Sequence, residues 1–100
     1  MFFILFDHAM HRPSLTIVLP VYNEASRIDR GLNSARQLKI KLQEHCIVSI
    51  LVVDDGSTDG TTDSILEDVE ILKRPHLGKG ATVRAGLEHS SSDWTLFTDI

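Results

Sequence analysis

Three observations predict an α/β fold built on a parallel, Rossmann-like sheet with flanking helices. Short apolar runs alternate with longer amphipathic stretches in the order β-α-β-α-β-α-β, the pattern of parallel strands joined by right-handed crossovers. The first two runs, Leu15–Val21 and Ile47–Val53, are predominantly apolar and rich in β-branched residues, as buried strands are. The conspicuous polar residues directly follow the runs: Tyr22, Asn23 and Glu24, then Asp54 and Asp55, then Asp99. Ligands of parallel sheets bind beyond the carboxyl ends of the strands, so these residues are expected on one rim.

In order, Leu15–Val21 carries Pro20 near its end, where a missing N–H does least harm. Asn23 is an expected N-cap for a helix whose apolar stripe is Ile28, Leu32, Ala35, Leu38 and Leu42. Ile47–Val53 runs into the turn signal Asp54-Asp55-Gly56. Ser57 or Thr58 is expected to cap a short helix reaching about Glu67, followed by a third strand over Val69–Leu72. Gly78–His89 reads as a helix that packs through Ala81, Val83, Ala85 and Leu87, and Trp94–Thr98 as a fourth strand.

The 42% hydrophobic and 24% charged composition is that of an ordinary soluble domain, and 100 residues allow one domain or part of one. A formal net charge of −4 argues against sequence-independent nucleic-acid binding. Cys46 is the single cysteine, which excludes an internal disulfide and fits a reducing, cytoplasmic setting. Met1–Phe6 is apolar, too short to span a bilayer, and without the basic flank and small-residue cleavage site of a signal peptide. Residues 1–13 are expected to be a flexible leader, with Met10 as an alternative start, and residues 14–100 the folded unit. From Gln43 to Leu72 every charged side chain is acidic, and Asp63, Glu67, Asp68 and Glu70 read as a solvated surface. Basic residues return at Lys73, Arg74, Lys79 and Arg84.

Three near-motifs fail. Gly78-Lys79-Gly80 has no glycine five residues before Gly78 and no Ser or Thr after the lysine, so it is not a Walker A loop. The same stretch has Val83 where a dinucleotide fingerprint needs its third glycine. Asp55-x-Ser57-x-Asp59-Gly60 resembles the opening of an EF-hand loop, but Leu66 stands at the twelfth position.

Two segments hold together: LTIVLPVYNE at Leu15–Glu24 and LVVDDGSTDGT at Leu51–Thr61. This pair, with Lys79-Gly80-x-x-x-x-Arg84-x-Gly86 and Thr98-Asp99, resembles the opening of family 2 glycosyltransferases of the GT-A fold. The likeness covers residues 14–100. It implies a nucleotide-sugar-binding half with a UDP- or GDP-sugar donor. Pro20 and Tyr22 would wall a base slot, Tyr22 otherwise packing at a strand end. Glu24 would touch the nucleoside or cap the helix. Asp55 would accept a hydrogen bond from the base ring N–H, with Asp54 sharing that role or shaping the loop. Lys79 and Arg84 would meet the diphosphate at a glycine-rich helix start, where free N–H groups and the helix dipole favour an anion. Asp99 would be the first carboxylate of a D-x-D motif holding Mg²⁺ or Mn²⁺. The second Asp is expected just after Ile100, and the catalytic and acceptor-binding residues beyond it. His76 and His89 read as surface residues.

Within the family, Pro75–Gly86 is most similar to enzymes that glycosylate polyprenyl phosphates, which implies glycan synthesis at the cytoplasmic face of a membrane. A lipid phosphate or a glycan is the expected acceptor, and inversion at the anomeric carbon the expected outcome. A lipid phosphate needs no strong general base, because its oxygen is already anionic. A sugar hydroxyl would need a carboxylate base further along. Two rival readings stand beside this one. Ile50–Asp55 (ILVVDD) matches the first strand of a response-regulator receiver, with Asp99 as phosphoacceptor, although that leaves LTIVLPVYNE unexplained. The other rival is a non-catalytic nucleotide-binding fragment.

Overall fold

A computed structural model describes residues 12–100; the leader motifs Met1–Phe6 and Met10 lie outside them. Four strands and two helices follow in the order β1 (Ser14–Val21), α1 (Ile28–Leu42), β2 (Ile47–Asp54), β3 (Glu70–Lys73), α2 (Lys79–His89) and β4 (Trp94–Phe97). The strands form one parallel sheet in the order β3-β2-β1-β4. The chain therefore builds outward from β1 through β2 to β3, then crosses back to place β4 on the other side of β1. That reversal opens a crevice beyond the ends of β1 and β4, as in doubly wound sheets.

The apolar runs are continuous because both faces of the sheet are covered. Ile17, Leu19 and Val21 of β1 point to one face, where they meet Ile50 and Val52 of β2 and Ile28, Leu32 and Ala35 of α1. Leu38 and Leu42 pack at the margin of this cluster. Val18 points to the other face, with Leu51, Val53 and Ala85 of α2. Fully burying each such side chain is worth about 1.5–3 kcal/mol.

On α2 the buried residues are Thr82, Ala85 and Gly86, not the alternating Ala81, Val83 and Leu87 of the sequence reading, and Leu87 is exposed. A helix buries positions three and four apart, so an every-second-residue set cannot share a face. Gly86 brings the helix close to the sheet: a Cβ there would lie 2.8 Å from Val18 Cγ1 and 3.3 Å from Val53 Cγ2.

The short helix expected after Ser57 does not form, and residues 55–69 make turns. Side chains take the backbone donors that a helix would need. Asp54 Oδ1 accepts from Ser57 N–H, Asn23 Oδ1 from Thr58 N–H and Asp59 Oδ1 from Thr61 N–H. Gly56 and Gly60 also sit at φ 79° and 80°. Arg12 and Pro13, grouped with the leader on sequence, are already tied to the fold. The Arg12 guanidinium donates to the carbonyls of Gln43 and Cys46, and Pro13 C=O accepts from Ile47 N–H.

Candidate functional site

The parallel ladder continues past the strand ends and carries the rim residues with it. Asp55 N–H donates to Val21 C=O at 2.9 Å, Arg74 N–H to Asp54 C=O at 2.8 Å, and Thr98 N–H to Val18 C=O at 3.0 Å. The ends of β1, β2 and β3 are thereby held level, while β4 stops opposite Val18 of β1. Between them lies a cleft of about 400 Å³ lined by residues that include Pro20, Tyr22, Glu24, Asp55, Lys79 and Asp99. Six of the eight residues singled out from the sequence meet there.

Asp54 and Arg84 do not line it. Asp54 is buried, and its carboxylate turns the chain by holding Ser57 N–H at 3.0 Å, which is the loop-shaping alternative. Arg84 lies on the exposed side of α2, its guanidinium 3.5 Å from Glu88 one turn on. Helical geometry is the reason: with Thr82, Ala85 and Gly86 on the sheet, position 84 faces away.

Asp55 is the centre of the site. Oδ1 accepts from Leu77 N–H at 2.8 Å, and Oδ2 from Gly78 N–H at 3.1 Å and from His76 Nδ1 at 2.9 Å. Burial alone would push this carboxyl up. The two backbone donors and the adjacent His76 together outweigh burial and hold it below the usual carboxylate range. The His76 ring also stacks on Tyr22, with centroids 4.0 Å apart and planes 18° apart. His76 thus belongs to the cleft rather than to the general surface. Composition carried no sign of it; its position two residues before Gly78, on the loop that must cross the rim, was the available signal.

Asn23 does not cap α1, whose N-cap is Arg27. It adopts φ 51° and cross-links the two rim loops: its N–H donates to Ser57 Oγ at 2.9 Å and its Oδ1 accepts from Thr58 N–H at 2.8 Å. Glu24 leads into α1 through its C=O, which accepts from Arg27 and Ile28 N–H, while its carboxylate takes the Arg27 guanidinium. Thr61, almost fully buried, accepts Glu24 N–H and donates to Asp59. That hydroxyl, before the smaller backbone contributions, holds the Asp59 carboxyl below its ordinary value. The loop after β1, from Asn23 to Ala25, and the loop after β2, from Ser57 to Thr61, are thereby hydrogen-bonded into one rim.

On the far side, Lys79 at the first turn of α2 reaches Asp99 beyond β4, with Nζ and Oδ1 2.9 Å apart. Both side chains are about two-thirds exposed. Gly78, at φ 102°, precedes the helix, and Thr82 Oγ1 donates back to its carbonyl. No group of three His, Cys, Asp or Glu able to hold a metal ion occurs among the described residues. No helix among them is long and apolar enough to cross a membrane.

Such a sheet, with its cleft at the point of strand reversal and acidic and basic residues on the rim, defines a GT-A-like α/β protein. The strand order excludes the receiver reading: there the phosphoacceptor strand lies beside the first acidic strand, whereas here β4 is separated from β2 by β1. Comparison with known proteins is specific. The model of glycosyl transferase family 2 matches residues 16–99, and the chain belongs to that family.

A dolichyl-phosphate beta-glucosyltransferase of Saccharomyces cerevisiae is 36% identical over 97 residues, covering 85% of this chain and 29% of that protein. One from Trichomonas vaginalis is 34% identical over 94 residues, covering 84% and 28%. Among solved structures, the mannosyltransferase PcManGT from Pyrobaculum calidifontis, in complex with GDP-Man and Mn²⁺, superposes with a TM-score of 0.71 at 27% identity. That match covers 89% of this chain and 28% of that one. The chain spans less than a third of the length of each of these relatives.

Proposed function

We propose that this chain forms the donor-binding half of a glycosyltransferase that moves a sugar from a UDP- or GDP-sugar to a polyprenyl phosphate, with inversion at the anomeric carbon. The observation that carries the reading is the meeting of an aromatic ring, a buried carboxylate, a lysine at a helix start and an exposed carboxylate in one cleft. Tyr22 offers a face for the base, and Asp55 an acceptor for its ring N–H. Lys79 and the first N–H groups of α2 would meet the diphosphate at the helix start. The dolichyl-phosphate relatives and the neighbour solved with GDP-Man and Mn²⁺ support donor and acceptor class.

Asp99 supplies one exposed carboxylate, which suits Mg²⁺ or Mn²⁺ sites that take their remaining ligands from substrate phosphates and water. When bound, such a cation neutralises charge on the leaving diphosphate. Lys79 would exchange Asp99 for the diphosphate as the donor enters. A lipid-phosphate acceptor would bring the reaction to a membrane surface, on the cytoplasmic side.

The test is incubation of the full-length protein with labelled UDP-glucose or GDP-mannose, Mg²⁺ or Mn²⁺ and polyprenyl phosphate, followed by solvent extraction. Label in the lipid fraction, dependent on the acceptor and on the cation, is the expected result. Transfer only to soluble glycans would replace the acceptor, and no transfer from either donor would overturn the reading.

A further inference from the structure

His76 is placed as a nucleobase would be. Its imidazole lies face to face with Tyr22 at 4.0 Å, and the same ring directs Nδ1 at Asp55 Oδ2 from 2.9 Å. Nδ1 carries the hydrogen, because both atoms it faces, Asp55 Oδ2 and the Asp55 carbonyl 3.1 Å away, are acceptors. An aromatic ring stacked on tyrosine and donating a ring N–H to a buried carboxylate is the interaction set proposed above for the base of the donor. A base cannot enter between rings 4.0 Å apart, and one that uses this face of Tyr22 and this oxygen of Asp55 needs the space the imidazole fills.

We propose that His76 is an internal stand-in for the nucleobase: it occupies the base slot, keeps Tyr22 and Asp55 aligned, and leaves as the donor enters. The inference rests on the reading of Tyr22 and Asp55 as that slot. The side chain is free to move, being about half exposed, whereas the Asp55 carboxylate is nearly buried and held by Leu77 and Gly78 N–H as well. Departure of the imidazole therefore leaves the acceptor in place. A base that lacks a ring N–H at the matching position cannot replace the lost bond, and so the exchange selects uracil- or guanine-type rings over cytosine.

The consequence is a closed form that taxes binding. Where the closed form holds about nine-tenths of the molecules, apparent affinity is reduced about tenfold. Calorimetric titration with UDP, GDP and CDP would compare wild type with His76→Ala and His76→Phe. Removing the ring in His76→Ala is expected to tighten UDP or GDP binding by about tenfold. His76→Phe keeps a stacking ring without the N–H and is expected to fall between. In wild type, the His76 ring ¹H–¹⁵N resonance should lose its carboxylate-bonded shift on saturation with UDP or GDP. Weaker or unchanged binding in His76→Ala, or a ring resonance that UDP and GDP leave in place, overturns the proposal. Tyr22→Ala separates the two levels. If it weakens binding while His76→Ala does not tighten it, the slot stands and the stand-in falls. If Tyr22→Ala binds UDP and GDP as wild type does, the slot itself is wrong, and this inference falls with it.

Discussion

Asp55, the residue after β2, takes the backbone N–H of Gly78 at 3.1 Å, just before α2 begins. One carboxylate thereby joins the acidic end of the second strand to the glycine-rich start of the second helix. Any ligand that draws on Asp55 also acts on the loop before Lys79.

Asp55→Ala is expected to cost stability as well as affinity. Two part-buried backbone donors lose their acceptor, at about 1 kcal/mol or more, measurable by urea unfolding. Affinity for UDP or GDP should fall roughly ten- to a hundredfold. The folded-state value lies below the ordinary 3.8, so the stabilising contribution is complete above that value. It is lost as pH falls through the lowered one. Acid unfolding curves should separate wild type from Asp55→Asn above about pH 4 and converge below it. Parallel curves down to the lowest pH would show that the carboxylate contributes nothing.

Lys79→Met should weaken UDP or GDP binding while leaving uridine or guanosine unchanged, because only the diphosphate needs the ammonium. Loss of one hydrogen bond to a charged group predicts roughly a tenfold effect. The Lys79–Asp99 pair is exposed, and breaking it should shift stability by less than about 1 kcal/mol. An equal loss for nucleoside and nucleotide would move Lys79 away from the phosphates.

Arg84→Ala should leave nucleotide affinity within about twofold of wild type, since the side chain lies outside the cleft beside Glu88. A large loss in the same titration would show that α2 turns when a donor binds.

Asn23 separates conformation from hydrogen bonding. Asn23→Gly keeps the left-handed backbone at φ 51° and loses the bond to Thr58, whereas Asn23→Ala loses both. The alanine variant should be the less stable, by about 1 kcal/mol. Denaturant midpoints in the opposite order would remove the backbone argument.

Gly86→Ala carries opposing effects. Alanine gains about 1 kcal/mol in a helix interior, but its Cβ would meet Val18 and Val53 at 2.8 and 3.3 Å. Both neighbours are buried side chains of central strands, so the overpacking cost of about 1–3 kcal/mol should prevail. A higher melting temperature would mean that α2 can lift from the sheet.

What was legible in the sequence was what rests on periodicity. The runs ending at Val21 and Val53 are apolar but for Thr16 and Ser49, so strand type and direction followed from them, and the stripe Ile28–Leu32–Ala35 fixed the face of α1. The residues directly after those strands fell on the rim because parallel topology puts them there. Capping was not legible. Ser57, Thr58 and Asn23 are all good caps, and here they bond to each other across two loops instead of starting helices. Contacts of that kind depend on which loops the sheet brings together. His76 was missed for the same reason: its partners, Tyr22 and Asp55, come from two other strand ends.

Leu15 pairs with Trp94, so β1 takes one of its two neighbours from a strand that is distant in sequence. A ribosome delivers β1 well before β4. At about 5–20 residues per second, the edge of β1 that receives β4 waits on the order of ten seconds for its partner. Pairing with β2 comes earlier, once Asp54 has emerged, and protects only the opposite edge. The newborn chain therefore carries an open edge until β4 has emerged, the kind of surface on which strands from other chains can dock. The contacts of Ser14 with Asp93 and of Thr16 with Ser92 form only once that segment has arrived.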